Sequence, residues 1–219
     1  MSSAVIQLLV LAAIAVFLIL RLKNVLGTRE GFEKPPLPAP GTTGAPRRGF
    51  DVIEGGIDAD ITDHVPDGSP AAKALAAMKM AEPGFNVGEF LHGARGAYEM
   101  ILMAYERGAL DDVVPFISRD VYEALNAVVE AREREGLRVE ANFVGVREID
   151  LVAAEFDRES AEAEITVKFV GELTSVVRNA EGEVVEGSPT EIRRQKDVWT
   201  FARRMGRDDP NWQLVATGG

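Results

Sequence analysis

The sequence predicts an α+β domain that follows an apolar N-terminal segment and a Pro- and Gly-rich stretch. Three observations carry this prediction. Residues 1–20 have no charged side chain, apolar residues recur with a period of 3.6 between Phe90 and Tyr105, and the period changes to two after Gly136. Helices followed by an antiparallel sheet with one apolar face are typical of the α+β class, so we expect one domain of about 150 residues behind an N-terminal tether.

The apolar segment is predicted to be a transmembrane helix. Residues 4–20 are almost wholly apolar, and a helix needs about 20 residues to cross the hydrocarbon core of a bilayer. Arg21, Lys23 and Arg29 follow the segment, which by the positive-inside bias leaves the remaining chain in the cytoplasm. A cleaved secretory signal would carry its basic residues before the apolar run, so we interpret residues 1–26 as an anchor. The three basic side chains are expected either to contact lipid headgroups or simply to set this orientation.

Residues 27–70 are predicted to be a disordered linker. They are rich in Pro and Gly, a composition that cannot bury enough apolar surface to fold. The second half of the linker is acidic, and the run from Asp58 to Asp63 hints at a calcium loop. The sixth position of that loop is Asp63 instead of Gly, and the twelfth is Ser69 instead of Glu. We therefore expect a solvated acidic spacer and no metal site.

Three helices are expected at the start of the domain, which we assign to residues 71–219. Residues 71–81 are strong helix formers. Asn86 with Glu89 has the spacing of a capping box, and it opens a second helix that ends at Gly108. A third helix is expected over 120–135, capped by Ser118 and closed by Gly136. Its apolar face is predicted to carry five residues: Val121, Tyr122, Leu125, Val128 and Val129.

Long strands are predicted after Gly136. Alternation places one strand over 137–143 and another over 161–177, where Gly171 suggests a bulge or bend. Residues 179–182 (Asn-Ala-Glu-Gly) predict a hairpin turn. A further long strand is expected from Thr190 to Arg204, and a short last one over 212–217.

Composition argues against several classes of function. The net charge of -11 is a poor match for a phosphate backbone, so we expect no nucleic-acid partner. The chain has no cysteine and two histidines, of which His64 falls in the expected linker, so thiol chemistry and a multi-histidine metal site are not available. No nucleophile elbow, phosphate loop or dinucleotide fingerprint occurs. We expect no catalytic residues, no metal and no cofactor.

An apolar pocket is the remaining candidate site. Long bent strands that wrap one long helix would form a cone, as in the nuclear-transport-factor-two-like folds. If the cone is hollow, its lining would suit an acyl chain or an apolar peptide segment; if it is filled, the same residues are ordinary core. The lining is expected to come from the second helix and from the inward side of a strand, with these residues: Phe90, Ala94, Tyr98, Ile101, Tyr105, Val167 and Phe169.

Several short stretches together resemble a known family. The aromatic and small residues of the second helix, with Phe85 before it, are followed in order by residues 182–187 (Gly-Glu-Val-Val-Glu-Gly), 198–201 (Val-Trp-Thr-Phe) and 209–214 (Asp-Pro-Asn-Trp-Gln-Leu). This ordered set is similar to the Tim44-like domain. The family includes a mitochondrial import-motor adaptor and bacterial TimA proteins with an N-terminal membrane helix and a Pro-rich linker.

The resemblance implies a fold, membrane association and a scaffold-like role. In the family the first two helices are implicated in membrane contact, and the matching stretches here are 71–81 and 86–106. We therefore expect a non-enzymatic adaptor at the cytoplasmic face of a bacterial inner membrane, serving protein translocation or envelope assembly, with the bilayer and membrane or envelope proteins as partners. A lipid-binding module is the alternative. A hydrolase or isomerase is the third hypothesis, and it requires a water-excluded acid beside a tyrosine.

Overall fold

A computed structural model of the chain describes residues 58–218. The expected anchor over 1–26, with Arg21, Lys23 and Arg29, lies outside the described residues, as does most of the expected linker. Among the helices within 58–218, none combines the length and the apolar composition that crossing a bilayer requires.

The described residues form helices first and an antiparallel sheet second, which confirms the predicted α+β class. The helices are α1 (Ala59–Thr62), α2 (Pro70–Ala81), α3 (Val87–Arg107), a 3-10 helix (Leu110–Phe116) and α4 (Arg119–Arg134). The strands are β1 (Arg138–Asp157), β2 (Glu162–Arg178), β3 (Val184–Arg204) and β4 (Gln213–Gly218). Each strand pairs antiparallel with the next, in the order β1-β2-β3-β4.

The helix ends follow the predicted capping residues. The Asn86 side chain accepts a hydrogen bond from the Glu89 N–H at 2.8 Å and starts α3. The predicted cap Ser118 accepts from the Val121 N–H at 3.3 Å and starts α4. Ser69, which was not among the predicted caps, accepts from the Ala72 N–H at 3.1 Å and starts α2. Gly108 ends α3 in the left-handed conformation with φ 73°, a backbone region that glycine enters without steric cost. Local sequence therefore fixes the bounds of these helices.

Bulges curve the sheet. The β1–β2 register shifts three times, between Phe143 and Gly145, between Val146 and Glu148, and between Leu151 and Ala153. Each shift adds a residue to β1 without a partner on β2, which bends the strand and increases its twist. The helices α2 and α3 pack on β1. The core lies between the helices and the sheet.

Gly171 has a different role from the predicted one. It pairs regularly with Val146 on β1 and with Gln195 on β3, and the nearby irregularities lie on β1. A Cβ at this position would lie 2.6 Å from the hydroxyl oxygen of Tyr98, so the glycine makes room for the tyrosine ring. Of the predicted bulge or bend, the bulges lie on β1 opposite Gly171 and not on β2 itself. Close approach of the Tyr98 ring is the physical reason for the glycine.

The third strand begins before the predicted Thr190. It starts at Val184, because Ser188 closes a local turn inside it: the Ser188 hydroxyl accepts from the N–H groups of Thr190 and Glu191 at 3.3 and 3.2 Å. The register with β2 jumps across this turn, and pairing continues on both sides. Gly187 and Pro189 occupy this irregular part of the strand.

Two further details differ from expectation. Val128 is 44% exposed, so the apolar face of α4 is narrower than predicted and has Val121 and Val129 as its buried residues. Residues from 58 onward, expected in the linker, fold with the domain, because Ile61 and Val65 are buried in the core. Local composition could not show this burial.

The acidic run in this early segment holds the helices together. The Asp60 carboxylate accepts from the N–H groups of Val87 and Gly88 at 2.8 and 3.0 Å, at the start of α3, and pairs with Lys79 on α2 at 2.6 Å. Burial by itself would raise the pKa of Asp60, but these hydrogen bonds and the lysine charge hold that pKa below its ordinary value. The run thus serves as an anionic cap of α3 instead of a solvated spacer.

Candidate protein-binding groove

The interior between α3 and the sheet is packed with aromatic rings. Tyr98 stacks on Phe169 with ring centroids 4.5 Å apart and an interplanar angle of 10°, and Trp199 lies 4.8 Å from Tyr98. Ile101 and Val167 are buried in the same core cluster. Four of the seven expected pocket residues, namely Tyr98, Ile101, Val167 and Phe169, are therefore packed in this interior.

The remaining expected pocket residues separate into two places. Phe90 and Ala94 line a groove near the start of α3. Tyr105 is half-buried near its end, where the guanidinium carbon of Arg132 lies 4.4 Å from the ring centroid and an Arg132 N–H donates to the Tyr105 carbonyl at 3.2 Å. All seven residues thus belong to one core cluster or pack against it, and Phe90 and Ala94 also line the groove.

A tyrosine and an acid do meet at the interior. The Tyr98 hydroxyl donates to the Asp197 carboxylate at 2.6 Å, and the Gln195 amide donates to the other carboxylate oxygen at 3.2 Å. Burial, followed by the hydrogen bond to Asp197 and its charge, raises the pKa of Tyr98 above its ordinary value. Tyr98 therefore holds its proton as a donor, and Asp197 is partly exposed. The pair links α3 to β3, and it differs from the water-excluded acid that an enzymatic site of the predicted kind requires.

A polar patch lies at the C-terminal end of α3. Glu106 approaches the Ser175 hydroxyl at 3.5 Å, the outer limit for a hydrogen bond. Burial raises the pKa of Glu106 above its ordinary value, against the charges of Arg132 and Arg193 and the contact with Ser175. Among residues 58–218, no group of three or more His, Asp and Glu side chains is placed to hold a metal ion.

An apolar groove opens beside the first half of α3. Its volume is about 480 Å³, and it lies between α3, the 3-10 helix, the end of β3 and the segment before β4. Its lining is mainly aromatic and small: Phe85, Phe90, Gly93, Ala94, Ala97, Met100, Phe116, Phe201 and Trp212.

Aromatic contacts form one wall of the groove. Trp212 lies 4.8 Å from Phe90 and 6.0 Å from Phe85 between ring centroids. Phe85 precedes the Asn86 cap, so the same cap that starts α3 also fixes the position of this ring. The Asn86 cap therefore positions one side of this wall, and the loop between β3 and β4, which carries Trp212, forms the other side.

An ion pair closes one end of the groove. Arg203 on β3 pairs with Glu82, and its guanidinium carbon lies 5.5 Å from the centroid of the Trp212 ring. The Arg203 side chain is only 9% exposed, and Glu82 also accepts from the Gly206 N–H at 2.9 Å. Burial would raise the pKa of Glu82, but the hydrogen bonds from Gly206 and Arg203 and the arginine charge hold it below its ordinary value. This pair fixes the loop that carries Trp212.

The lining of the groove suits apolar groups, with polar residues at its edge. Its polar lining residues are Glu82, Asn86, Glu89, Arg203 and Asn211, of which Glu82 and Arg203 neutralise each other. Sequence reasoning found Phe90 and Ala94 but missed Phe116 and Arg203. Phe116 lies in a short 3-10 helix without a hydrophobic period, and Arg203 is a charged residue whose burial depends on a partner far away in sequence.

Comparisons with known proteins agree with this fold. The family model described as "Tim44-like domain" matches residues 71–219. The mitochondrial import inner membrane translocase subunit TIM44 of Homo sapiens is 26% identical over 147 residues, which are 66% of this chain and 32% of the human protein. The same subunit of Rattus norvegicus is 24% identical over 147 residues, with the same coverage. The chain thus spans about a third of the length of the curated relatives it matches.

Among solved structures, the intermembrane space region of the chloroplast protein ARC6 is similar with a TM-score of 0.39 and 8% identity, covering 58% of this chain and 94% of that one. The family match covers the helices from α2 onward, the whole sheet and every residue that lines the groove. On the strength of that match, this chain belongs to the Tim44-like domain family.

Proposed function

We propose that this protein is a membrane-anchored, non-enzymatic adaptor at the cytoplasmic face of a bacterial inner membrane, where its domain binds a membrane or envelope protein during translocation or assembly. The single observation that carries the proposal is the open groove of about 480 Å³ with aromatic walls, in a domain of the Tim44-like family. Concave apolar sites with a few polar groups at the edge are where proteins preferentially bind apolar groups of a partner or ligand.

The sequence before the domain supports the anchoring part of the proposal. The uncharged residues 1–20 have the length of a membrane span, and Arg21, Lys23 and Arg29 after them favour a cytoplasmic domain and contact with anionic headgroups. Residues 27–57, with their high Pro and Gly content, would give the domain reach from the bilayer. A related protein is named as a subunit of an inner-membrane translocase, which agrees with a membrane site of action.

The lining of the groove indicates the chemistry of the partner. Ala97, Met100 and Trp212 offer accessible apolar surface over the buried rings of Phe85 and Phe90. An aromatic or aliphatic side chain that packs there gains about 25 cal/mol for each Å² removed from water. Glu89 on the rim is exposed, and the whole chain carries a net charge of -11. The groove therefore favours an apolar peptide segment flanked by basic residues.

The non-enzymatic part rests on the chemistry of the interior and the groove. Tyr98 holds its proton as a donor to Asp197, which also accepts from Gln195, so these groups serve to link α3 to β3. The groove lining carries one compensated ion pair and apolar rings. Binding is the activity that these groups support.

The test compares partner recovery by two matched variants of the full chain. Ala97→Arg puts a long charged side chain into the groove, and Val152→Arg puts the same side chain on β1, where Val152 is 54% exposed. We expect quantitative crosslinking and mass spectrometry in cells to recover a discrete membrane protein with the wild type and with Val152→Arg, and to lose it with Ala97→Arg. Equal recovery by both variants would reject the groove as the binding site.

A lipid-binding module is the second candidate, because the same aromatic walls would suit an acyl chain. The two candidates differ in what Ala97→Arg removes. Loss of a protein partner supports the adaptor. Loss of copurifying phospholipid, measured by native mass spectrometry of the full chain in detergent, with no change in protein partners would favour lipid binding.

A further inference from the structure

Two hollows meet at Glu106, at the C-terminal end of α3, and together we call them the polar hollow. One, of about 630 Å³, lies between the ends of α3 and α4 and the start of β1; the other, of about 280 Å³, lies between α3, β2 and β3. Within the described part of the chain, neither shares a lining residue with the apolar groove. Glu106 lies about 24 Å along the helix from Phe90. The polar hollow is therefore a separate place in the fold.

Polar groups around Glu106 are incompletely hydrogen-bonded. The Nε atom of Arg132 is buried and has no acceptor among residues 58–218. Ser175 is only 9% exposed, and its hydroxyl reaches Glu106 at 3.5 Å, the outer limit for a hydrogen bond. A buried polar group without a good partner destabilises a fold, so each such group calls for an explanation. A ligand that brings acceptor atoms to this place would provide one.

The lining of the polar hollow is positively charged. It contains three glutamates, Glu106, Glu133 and Glu140, and five arginines: Arg107, Arg132, Arg138, Arg193 and Arg194. Five positive and three negative charges leave a formal charge of +2, whereas the whole chain carries -11. Glu140 pairs with Arg178, and Arg194 pairs with Glu172, so setting both aside leaves the same excess. A positive site in an acidic protein favours an anionic ligand.

Two of these arginines keep donors that the domain does not use. The guanidinium group of Arg132 is held over the Tyr105 ring and donates from one nitrogen to the Tyr105 carbonyl at 3.2 Å. Arg193 lines the smaller hollow, and its ion pair with the exposed Glu186 is long, at 3.9 Å. The charges of both arginines act on Glu106, but burial outweighs them and raises the pKa of that carboxyl group. Because a guanidinium group has five N–H donors, both side chains can bind a further acceptor.

We propose that the polar hollow binds an oxyanion, the carboxylate or phosphate group of a ligand, between Arg132 and Arg193. The planar guanidinium group matches the oxygens of such a group, and the charge on the acceptor strengthens each hydrogen bond. Ser175 adds a hydroxyl donor at the buried end of the site. Glu106 limits the affinity, because an ionised carboxylate beside the bound anion opposes binding. The site lies apart from the groove and does not rest on the function proposed for the groove.

Phosphorus NMR of the full chain in a neutral detergent tests this site. The probes are inorganic phosphate and dihexanoyl phosphatidylglycerol, which present phosphate oxygens as a free ion and as a lipid headgroup. Broadening of the phosphorus signal as protein is added gives a dissociation constant for each variant. Arg132→Gln should weaken binding about tenfold, because it removes a charge-assisted hydrogen bond. The control Arg158→Gln, at an exposed arginine in the turn between β1 and β2, should leave the dissociation constant within about twofold of the wild type.

Glu106→Gln gives a second readout of the opposite sign. It removes the negative charge beside the bound anion, so it should strengthen binding about fivefold, a gain that misfolding cannot produce. This pattern with inorganic phosphate shows that a free oxyanion suffices, and the same pattern with phosphatidylglycerol alone assigns the site to a lipid headgroup. No binding of either probe, binding of both that Arg132→Gln leaves unchanged, or weaker binding by Glu106→Gln would overturn the proposal.

Discussion

The inner and outer faces of α3 use small residues for opposite purposes. On the inner face Tyr98 is fully buried. Gly171 on β2 has no side chain, which leaves room for the Tyr98 ring against the sheet. On the outer face Gly93 and Gly96 have open space above them. The inner glycine is explained by a neighbour in the same domain, whereas no atom lies within 4 Å of a Cβ built at either outer glycine. The same residue type is therefore required by packing on one side of the helix and is not required by packing on the other.

The largest effect is expected from emptying the interior. Phe169→Ala removes the ring that stacks on Tyr98 and should lower the free energy of unfolding by about 4 kcal/mol. Trp199 and Trp212 are the two tryptophans of the chain, so their fluorescence during urea unfolding reports on the domain. Met80→Ala, at a side chain that is 80% exposed, is the control and should change stability by less than about 0.5 kcal/mol.

Gly171→Ala should be nearly as damaging although it adds a single methyl group. The new Cβ would lie 2.6 Å from the Tyr98 hydroxyl oxygen, and the ring cannot yield without losing its stack on Phe169 and its bond to Asp197. We expect a loss of about 3 kcal/mol in the same urea assay. A loss of stability below 0.5 kcal/mol would show that the interior has room for the added methyl group. That result would favour the hollow-pocket interpretation at this position.

Glu82→Gln tests the ion pair that closes the groove. It leaves the nearly buried Arg203 without a counter-charge, and we expect a loss of about 2 kcal/mol at pH 7, smaller than for a fully buried pair because Glu82 is 28% exposed. Because the folded-state pKa of Glu82 lies below its unfolded value of 4.5, its contribution is present above pH 4.5 and is lost as the pH falls through the folded value. The stability difference between wild type and variant should therefore shrink on acidification below pH 4.5. A difference that grows there would contradict the pair.

Gly96→Ala should have the smallest effect and the opposite sign. Because nothing restricts a Cβ at this position, the substitution should raise the stability of the monomer by about 0.5–1 kcal/mol through helix propensity. The same urea assay followed by tryptophan fluorescence measures this change. An alanine that destabilises the monomer would contradict the contrast between the two glycine sites.

Local signals predicted the helices well, and long-range contacts account for most of what they missed. Asn86 and Gly108 set the ends of α3 through their own backbone and side chain, so their roles could be inferred from spacing. The burial of Ile61, by contrast, depends on a core assembled from the rest of the domain. The strand expected from Thr190 begins at Val184 because a serine turn lets β3 continue past a glycine and a proline.

The candidate site was predicted less well than the fold, for a related reason. The expected lining followed the apolar period of α3, but that period marks the face that packs, and the structure fills the interior there with the rings of Tyr98 and Phe169. The groove lies at the edge of that face, where Trp212 and Arg203 arrive from the end of the chain. Only the three-dimensional arrangement brings these distant residues beside Phe90.

The most direct test of the central claim is photocrosslinking in cells from a probe amino acid placed at Ala97 or Asn211 in the groove, with Val152 on β1 as the control position. The account predicts that both groove positions capture the same one or few membrane or envelope proteins and that the control position does not. Capture of lipid alone from the groove, or the same proteins from all three positions, would contradict an adaptor that acts through this groove.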